Sequence, residues 1–222
     1  MRVLLSSLLL AALISGCGGL SNSYINHPDV IEPNRLGTSE FADVIDWSAP
    51  DYEKINAACH LATNEARIAQ GGQGLRWNAT LEKAASAYAE ESARGGFLAH
   101  EHPSNSAMRL PDQRVAAAGG ANPITSENLA WIPGYPIGPD QGVHVRQGGY
   151  SITADGPLLR PHTYASLART VVEGWLNSPG HRANLLDRNA REVGCGSYMT
   201  PDANGMSMVT FVQKFQVSEL LK

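Results

Sequence analysis

The stretch Asn177–Leu186, NSPGHRANLL, sets the helix-breaking pair Pro179-Gly180 directly ahead of His181, between the apolar run TVVEGWL and the segment ANLL. A break between two helix-like segments sacrifices helical hydrogen bonds unless the chain has to turn there. The turn therefore serves to aim a side chain, and His181 is the one it aims. Upstream, Leu167, Val171, Val172 and Trp175 recur at helical spacing and predict a helix from about Tyr164 to Asn177 with one inward face. Downstream, REVGCGSYMT and MSMVTFVQKFQV are rich in β-forming residues and are separated by PDANG, whose Asn204-Gly205 is a hairpin signal.

Working further outward, Tyr52, Ile55, Cys59, Ala62, Ala66 and Ala69 keep one face of a first helix apolar until Gly71-Gly72. A second helix starts near Thr80, carries Leu81, Ala84, Ala85, Tyr88 and Ser92 on one side, and stops at Gly95-Gly96. A strand is expected in the middle region around ITSENLAW. The Pro- and Gly-rich segment from Ile132 to about Pro161 has no period and predicts a long loop, with room for a small hairpin, of the kind that shapes binding faces. Helices first and antiparallel strands last predict one α+β domain over about Asp51 to Lys222.

The chain opens MRVLLSSLLLAALISGC, with Arg2 ahead of an apolar run from Val3 to Ile14. That run is shorter than the roughly 18–20 residues that span a bilayer and fits an export signal. Its ending, Leu13-Ile14-Ser15-Gly16-Cys17, resembles the bacterial lipobox. The resemblance implies a signal peptide over residues 1–16 and lipid attachment at Cys17, hence a membrane-anchored, extracytoplasmic protein of a bacterial envelope. Gly18 lacks the Asp that retains lipoproteins at the inner membrane in enteric bacteria, which favours the outer membrane and periplasm in a Gram-negative source. Residues 17–50 lack periodicity and are expected to be a flexible tether, with Phe41, Ile45 and Trp47 available for docking near its end.

A net charge of -4 without any run of Lys or Arg gives no case for a nucleic-acid partner. With Cys17 acylated, Cys59 and Cys195 remain. Export makes a Cys59–Cys195 disulfide the expected state, the alternative being two buried free thiols.

Among the seven histidines, His27, His60, His144 and His162 stand alone, whereas His100, His102 and His181 have chemical company. In His100-Glu101-His102 a strand would put both imidazoles on one face at a metal-ligand spacing, but a loop would not, and Pro103 leaves both readings open. Glu127 lies among apolar neighbours in SENLAW, where a carboxylate needs a partner, be it a functional one or local backbone donors.

Taken together, NEAR at Asn64, GLRWNATLEKAASAYAE, GFLAHEHP, RVAAAG, ENLAW, VVEGWLNSPGHRANLL, EVGCG and FVQKF resemble the CAP superfamily of cysteine-rich secretory proteins, antigen 5 and pathogenesis-related proteins. The bacterial SCP-like branch is the better match, over about Asp51 to Phe215. The resemblance implies a three-layer α-β-α sandwich with a central antiparallel sheet and a cleft of histidines and glutamates, here His100, Glu127 and His181. The place of a second glutamate, three residues after Trp175, holds Ser178, and Glu173 lies about 140° away around the helix at roughly 100° per residue.

Two imidazoles and a carboxylate form a possible Zn²⁺ set with one open position, and without metal a His held by Glu is a possible general base. No serine or cysteine in these motifs is presented as a nucleophile. The favoured expectation is a non-enzymatic binding module whose cleft and 132–161 loop take a divalent metal, an apolar ligand such as lipid, or an envelope component. The alternative is a metal-assisted hydrolase of peptide or cell-envelope substrates, with His100, Glu127 and His181 as catalytic residues. Neither ligand nor oligomeric state is legible.

Overall fold

The computed structural model describes residues 22–25, 32, 34–120, 125–138 and 140–217, so the signal sequence, Cys17 and His27 lie outside the described residues. Helix starts follow from local polar chemistry. Asp51 accepts from the Lys54 N–H to open α1 (Tyr52–Ala69), and Asn78 accepts from the Thr80 and Leu81 N–H groups to open α2 (Ala79–Gly95). Gly96, at φ 65°, closes α2 in the left-handed conformation that glycine takes without strain. A short α3 (Pro111–Ala117) follows, and Thr163 with Ser166 forms a capping box for α4 (Tyr164–Leu176). The break after α4 falls at Asn177-Ser178. Pro179 and Gly180 begin α5 (Pro179–Leu185) rather than forming the bend themselves, because proline at the first helical position lacks only an N–H that has no helical partner anyway.

Four strands form the main sheet in the order β1 (Arg76–Trp77), β5 (Ala190–Pro201), β6 (Ser207–Val217), β2 (Thr125–Pro133). The β5–β6 hairpin turns through PDANG with Gly205 at φ 78°. Both β5 and β2 run antiparallel to β6, but β1 runs parallel to β5 over its two residues, so the sheet is mixed where a wholly antiparallel one was expected. Within the long loop, β3 (His144–Arg146) and β4 (Gly149–Ser151) form a small separate hairpin.

The strand period sorts side chains into two cores. Val193, Cys195, Val209, Phe211 and Phe215 pack with α1 and α4, while Val212 and Leu129 meet Ala85, Tyr88 and Ala89 of α2 on the opposite face. The result is the expected α-β-α sandwich. In EVGCG the two glycines point at α2: a Cβ on Gly194 would stand 2.1 Å from the Glu82 nitrogen, and one on Gly196 would stand 2.1 Å from the Ser86 nitrogen. Helix backbone thus rests directly on strand backbone, and the small Ala85 of α2 is the other half of that close approach.

Part of the stretch read as a tether belongs to this core. Leu36 and Phe41 are 0% exposed and Ile45 is 1% exposed, all three in the cluster between α1 and α4. Trp47 donates to the Gly134 carbonyl, and Asn22 donates to the Glu53 carbonyl and to Glu82. Three large apolar side chains that would otherwise face water hold residues 34–50 against the domain. Among the described residues no helix is long and apolar enough to cross a membrane.

The expected Cys59–Cys195 disulfide is not present: both residues are free thiols, wholly buried and adjacent across the α1–β5 contact. Burial first, then the Cys59 neighbour, pushes the Cys195 thiol pKa well up, which disfavours the thiolate that disulfide exchange requires.

Two measurements check this fold. Gly196→Ala forces α2 off the sheet, so urea unfolding should report a loss of about 3 kcal/mol or more. His60, buried in α1 with its Nε2 accepting from Asn64, has its pKa pushed down by burial to about 4. The folded imidazole therefore stays neutral while the unfolded one gains a proton below about 6.5, so stability is full above that pH and declines toward pH 4. The decline traced to His60 should amount to roughly 3 kcal/mol at most, and His60→Leu should flatten it in urea titrations taken across that window.

Candidate functional site

The register of β2 on β6 places Glu127 opposite Lys214 and Asn128 opposite Gln213. Glu127 and Lys214 share the α2 face, where the Tyr88 ring lies under the Arg114 guanidinium at 3.6 Å. Lys214 Nζ donates to Glu127 Oε2 at 2.5 Å, and Arg114 Nη2 donates to both carboxylate oxygens at 3.0 and 2.9 Å. The Glu127, Lys214 and Arg114 side chains are 1%, 0% and 4% exposed. Burial drives the Glu127 pKa upward, but the His100 hydrogen bond and the Lys214 and Arg114 charges outweigh it and hold the carboxyl below its usual range. Burial likewise lowers the Lys214 pKa, opposed by Glu127.

His100 comes from the loop after α2. Tyr88 donates its hydroxyl to the Ala99 carbonyl and Arg114 donates to the His100 carbonyl, so both sides of the buried cluster also fix this loop. The imidazole, 52% exposed on its side chain, places Nδ1 3.1 Å from Glu127 Oε1 and leaves Nε2 turned away from that contact.

His181 arrives on α5, which docks on the outer edge of β2. Asn184 donates to the Glu127 carbonyl and to Asn128 Oδ1, Asn128 donates back to the His181 carbonyl, and Trp175 donates to the Leu129 carbonyl. These bonds satisfy an edge that would otherwise expose unpaired carbonyls. They also bring the His181 ring to 6.4 Å from the His100 ring. Burial first, and then His100, lowers the His181 pKa and favours its neutral form.

The residues singled out in sequence thus meet: His100 bonds Glu127, and His181 faces His100. His102 does not join them. Residues 100–102 form a loop, and the buried His102 accepts from the Ser104 and Asn105 N–H groups at Nδ1 and therefore donates from Nε2 to Glu91. It braces the loop that carries His100.

Four side chains escaped the sequence reading: Arg114, Lys214, Asn128 and Asn184. Each stands in a quoted motif, but only Lys214 carried a signal of its own. It interrupts the apolar alternation of VTFVQKFQ on a strand, where a buried charge requires a counter-ion.

The donor set decides what could be held here. A carboxylate has about four acceptor sites, and Glu127 accepts from His100, Lys214 and, through both oxygens, Arg114. Its acceptor capacity is therefore used, and among the described residues no group of three or more His, Cys, Asp or Glu side chains is arranged to hold an ion. What fits a divalent cation is the pair of imidazoles, with Glu127 orienting His100 from behind.

The profile of the cysteine-rich secretory protein family, CAP, matches residues 61–215, more than half of the chain. The chain belongs to the CAP family. Its fold is similar to that of an extracellular SCP-domain protein from Bacillus anthracis, at TM-score 0.53 and 17% identity over 75% of this chain and 41% of that one. The CAP chain thus spans about two fifths of the length of that relative. An outer surface protein from Borrelia burgdorferi is also similar, at TM-score 0.46 and 18% identity over 80% of this chain and 99% of that one. No curated protein matches the CAP chain.

Removing one partner of the buried cluster tests its role. Lys214→Met leaves Glu127 short of a counter-charge and should cost about 3–5 kcal/mol in urea unfolding. Adding Glu127→Gln to it should cost less than the two single changes summed, which a double-mutant cycle reads directly.

Proposed function

We propose that this CAP-domain chain is a lipid-anchored, extracytoplasmic binding module whose cleft offers the paired imidazoles of His100 and His181 to a divalent cation or to the ligand itself. The observation that carries this reading is the complete use of Glu127 by His100, Lys214 and Arg114. A carboxylate so neutralised and so enclosed is a poor base for activating water, and it serves instead to hold His100 in place. Among the described residues no serine hydroxyl or thiol is hydrogen-bonded to either imidazole, so the pair lacks the side-chain nucleophile of a serine- or cysteine-type hydrolase.

A bound cation would be held by His100 and His181 alone, leaving the remaining coordination positions to water or to an incoming ligand and supplying Lewis acidity there. The Glu127–His100 contact supports this reading, because metal-ligating imidazoles are commonly oriented by a carboxylate on the other ring nitrogen. Anchoring rests on the lipobox-like ending at Cys17, which lies five residues ahead of Asn22, the first described residue docked on the domain. Five residues reach at most roughly 18 Å, so an anchor at Cys17 would keep the domain close to the bilayer.

Zinc titration of the full-length chain in detergent, followed by calorimetry, tests the proposal. Saturable binding should be lost in the His100→Ala/His181→Ala variant and weakened about 10–100-fold in Glu127→Gln. Equal binding by the double variant would overturn the metal reading. Turnover of peptide or peptidoglycan by the parent, absent from the double variant, would replace it with the hydrolase.

A further inference from the structure

Away from the histidine cleft, Arg67 near the end of α1 and Arg188 and Arg191 at the entrance to β5 line a cavity of about 270 Å³ with Gly71, Gly72 and Gln73. Arg67, Gly72 and Arg188 continue into an adjoining space of about 140 Å³. The floor is Arg67, which is 2% exposed. Its Nε donates to the Gln73 carbonyl and its Nη1 to the Leu185 carbonyl, while Nη2 makes no hydrogen bond among the described residues. Arg188 makes no side-chain hydrogen bond among them, and Arg191 uses only Nη1, on the Arg188 and Ala190 carbonyls.

Arg35, Arg76, Arg94, Arg109, Arg114 and Arg169 each face a glutamate. Arg67, Arg188 and Arg191 form no ion pair among the described residues, and neither do Arg146, Arg160 and Arg182, but the first three line one cavity together. The chain as a whole carries a net charge of -4, so three unpaired guanidiniums around one cavity run against its average composition. Burial lowers the Arg67 pKa, with Asp187 opposing and Arg191 adding to the shift, so Arg67 senses both a neighbouring acid and a neighbouring cation. Three guanidiniums line the cavity, and the one acid that acts on the buried Arg67 is Asp187, so positive charge prevails there. A buried guanidinium that lines the cavity and has one nitrogen without a hydrogen-bond partner among the described residues calls for an anion.

We infer that this cavity is a binding site for a dianionic phosphate group, either inorganic phosphate or the phosphate monoester head of a lipid. A phosphate monoester carries about -1.5 to -2 charges near neutral pH, which answers that positive charge, and its oxygens suit the planar forks of several arginines at once. The backbone bonds of Arg67 hold its guanidinium in place before the anion arrives. Arg188 and Arg191 stand at the rim and close on the remaining oxygens. The site is independent of the histidine cleft and of any metal there.

Calorimetric titration of the full-length chain in detergent with inorganic phosphate, at ionic strength held constant with chloride, tests this. One saturable site is expected, and Arg188→Gln/Arg191→Gln should weaken it at least about tenfold, since those rim groups leave the backbone bonds of Arg67 intact. Arg146→Gln, on the exposed loop hairpin, should bind phosphate as the parent does. Absence of saturable binding by the parent, or unchanged affinity in the double variant with its unfolding transition intact, overturns the inference. Doping the micelles with phosphatidic acid rather than phosphatidylcholine then separates the sources: competition assigns the lipid headgroup, and no competition assigns soluble phosphate.

Discussion

The carboxylate of Glu127 is fully buried, and each of its hydrogen-bond partners comes from a different piece of chain: Lys214 from the inner strand β6, Arg114 from α3, His100 from the loop after α2. An isolated carboxylate at that depth would cost several kcal/mol in desolvation, so its presence obliges the chain to bring cations to it. Those cations then bring their own elements. Arg114 ties α3 and the His100 carbonyl to the sheet, and its stacking on Tyr88 fixes α2 in the same assembly. The carboxylate is thus a node for the fold, and among its hydrogen-bond partners the half-exposed His100 imidazole is the one open to solvent.

Close backbone contact elsewhere makes this node possible. The glycines of EVGCG let α2 sit directly on β5, which lowers Tyr88 to the level of the β2–β6 pair. With ordinary side chains at Gly194 and Gly196 the helix would ride higher, and the Tyr88 hydroxyl could not reach the Ala99 carbonyl while its ring lies under Arg114. Small residues on one element and charged residues on three others are therefore parts of one arrangement.

Local patterns made the helices, the hairpin and the aim of His181 legible in the sequence. Capping residues, the Asn204-Gly205 turn and the apolar period of α4 all act within a few residues of one another. The identity of the Glu127 partners was not legible because it depends on strand register: Lys214 lies 87 residues from Glu127 and meets it only once β2 and β6 align. Phe41, Ile45 and Trp47 were legible as apolar residues fit to dock, whereas Leu36 and the depth of the docking were not, since the irregular spacing of these residues produces no helix or strand period while their partners lie in α1 and α4. At two residues β1 is too short to carry a signal. The cysteines were legible as neighbours, and they do lie side by side, but as enclosed free thiols where the compartment argued for a bond.

The stretch NSPGHRANLL finally joins two regions that look unrelated in sequence. A seven-residue helix has little stability of its own, so the orientation of α5 is set by whatever grips it. At its start the His181 carbonyl accepts from Asn128, and at its end the Leu185 carbonyl accepts from Arg67. Asn184 grips β2 between these points. One end of the helix therefore presents an imidazole to the cleft, and the other holds the guanidinium that floors the arginine cavity. Because the same three polar side chains, Asn128, Asn184 and Arg67, position both, a change that loosens α5 at either end disturbs the histidine pair and the arginine cluster together.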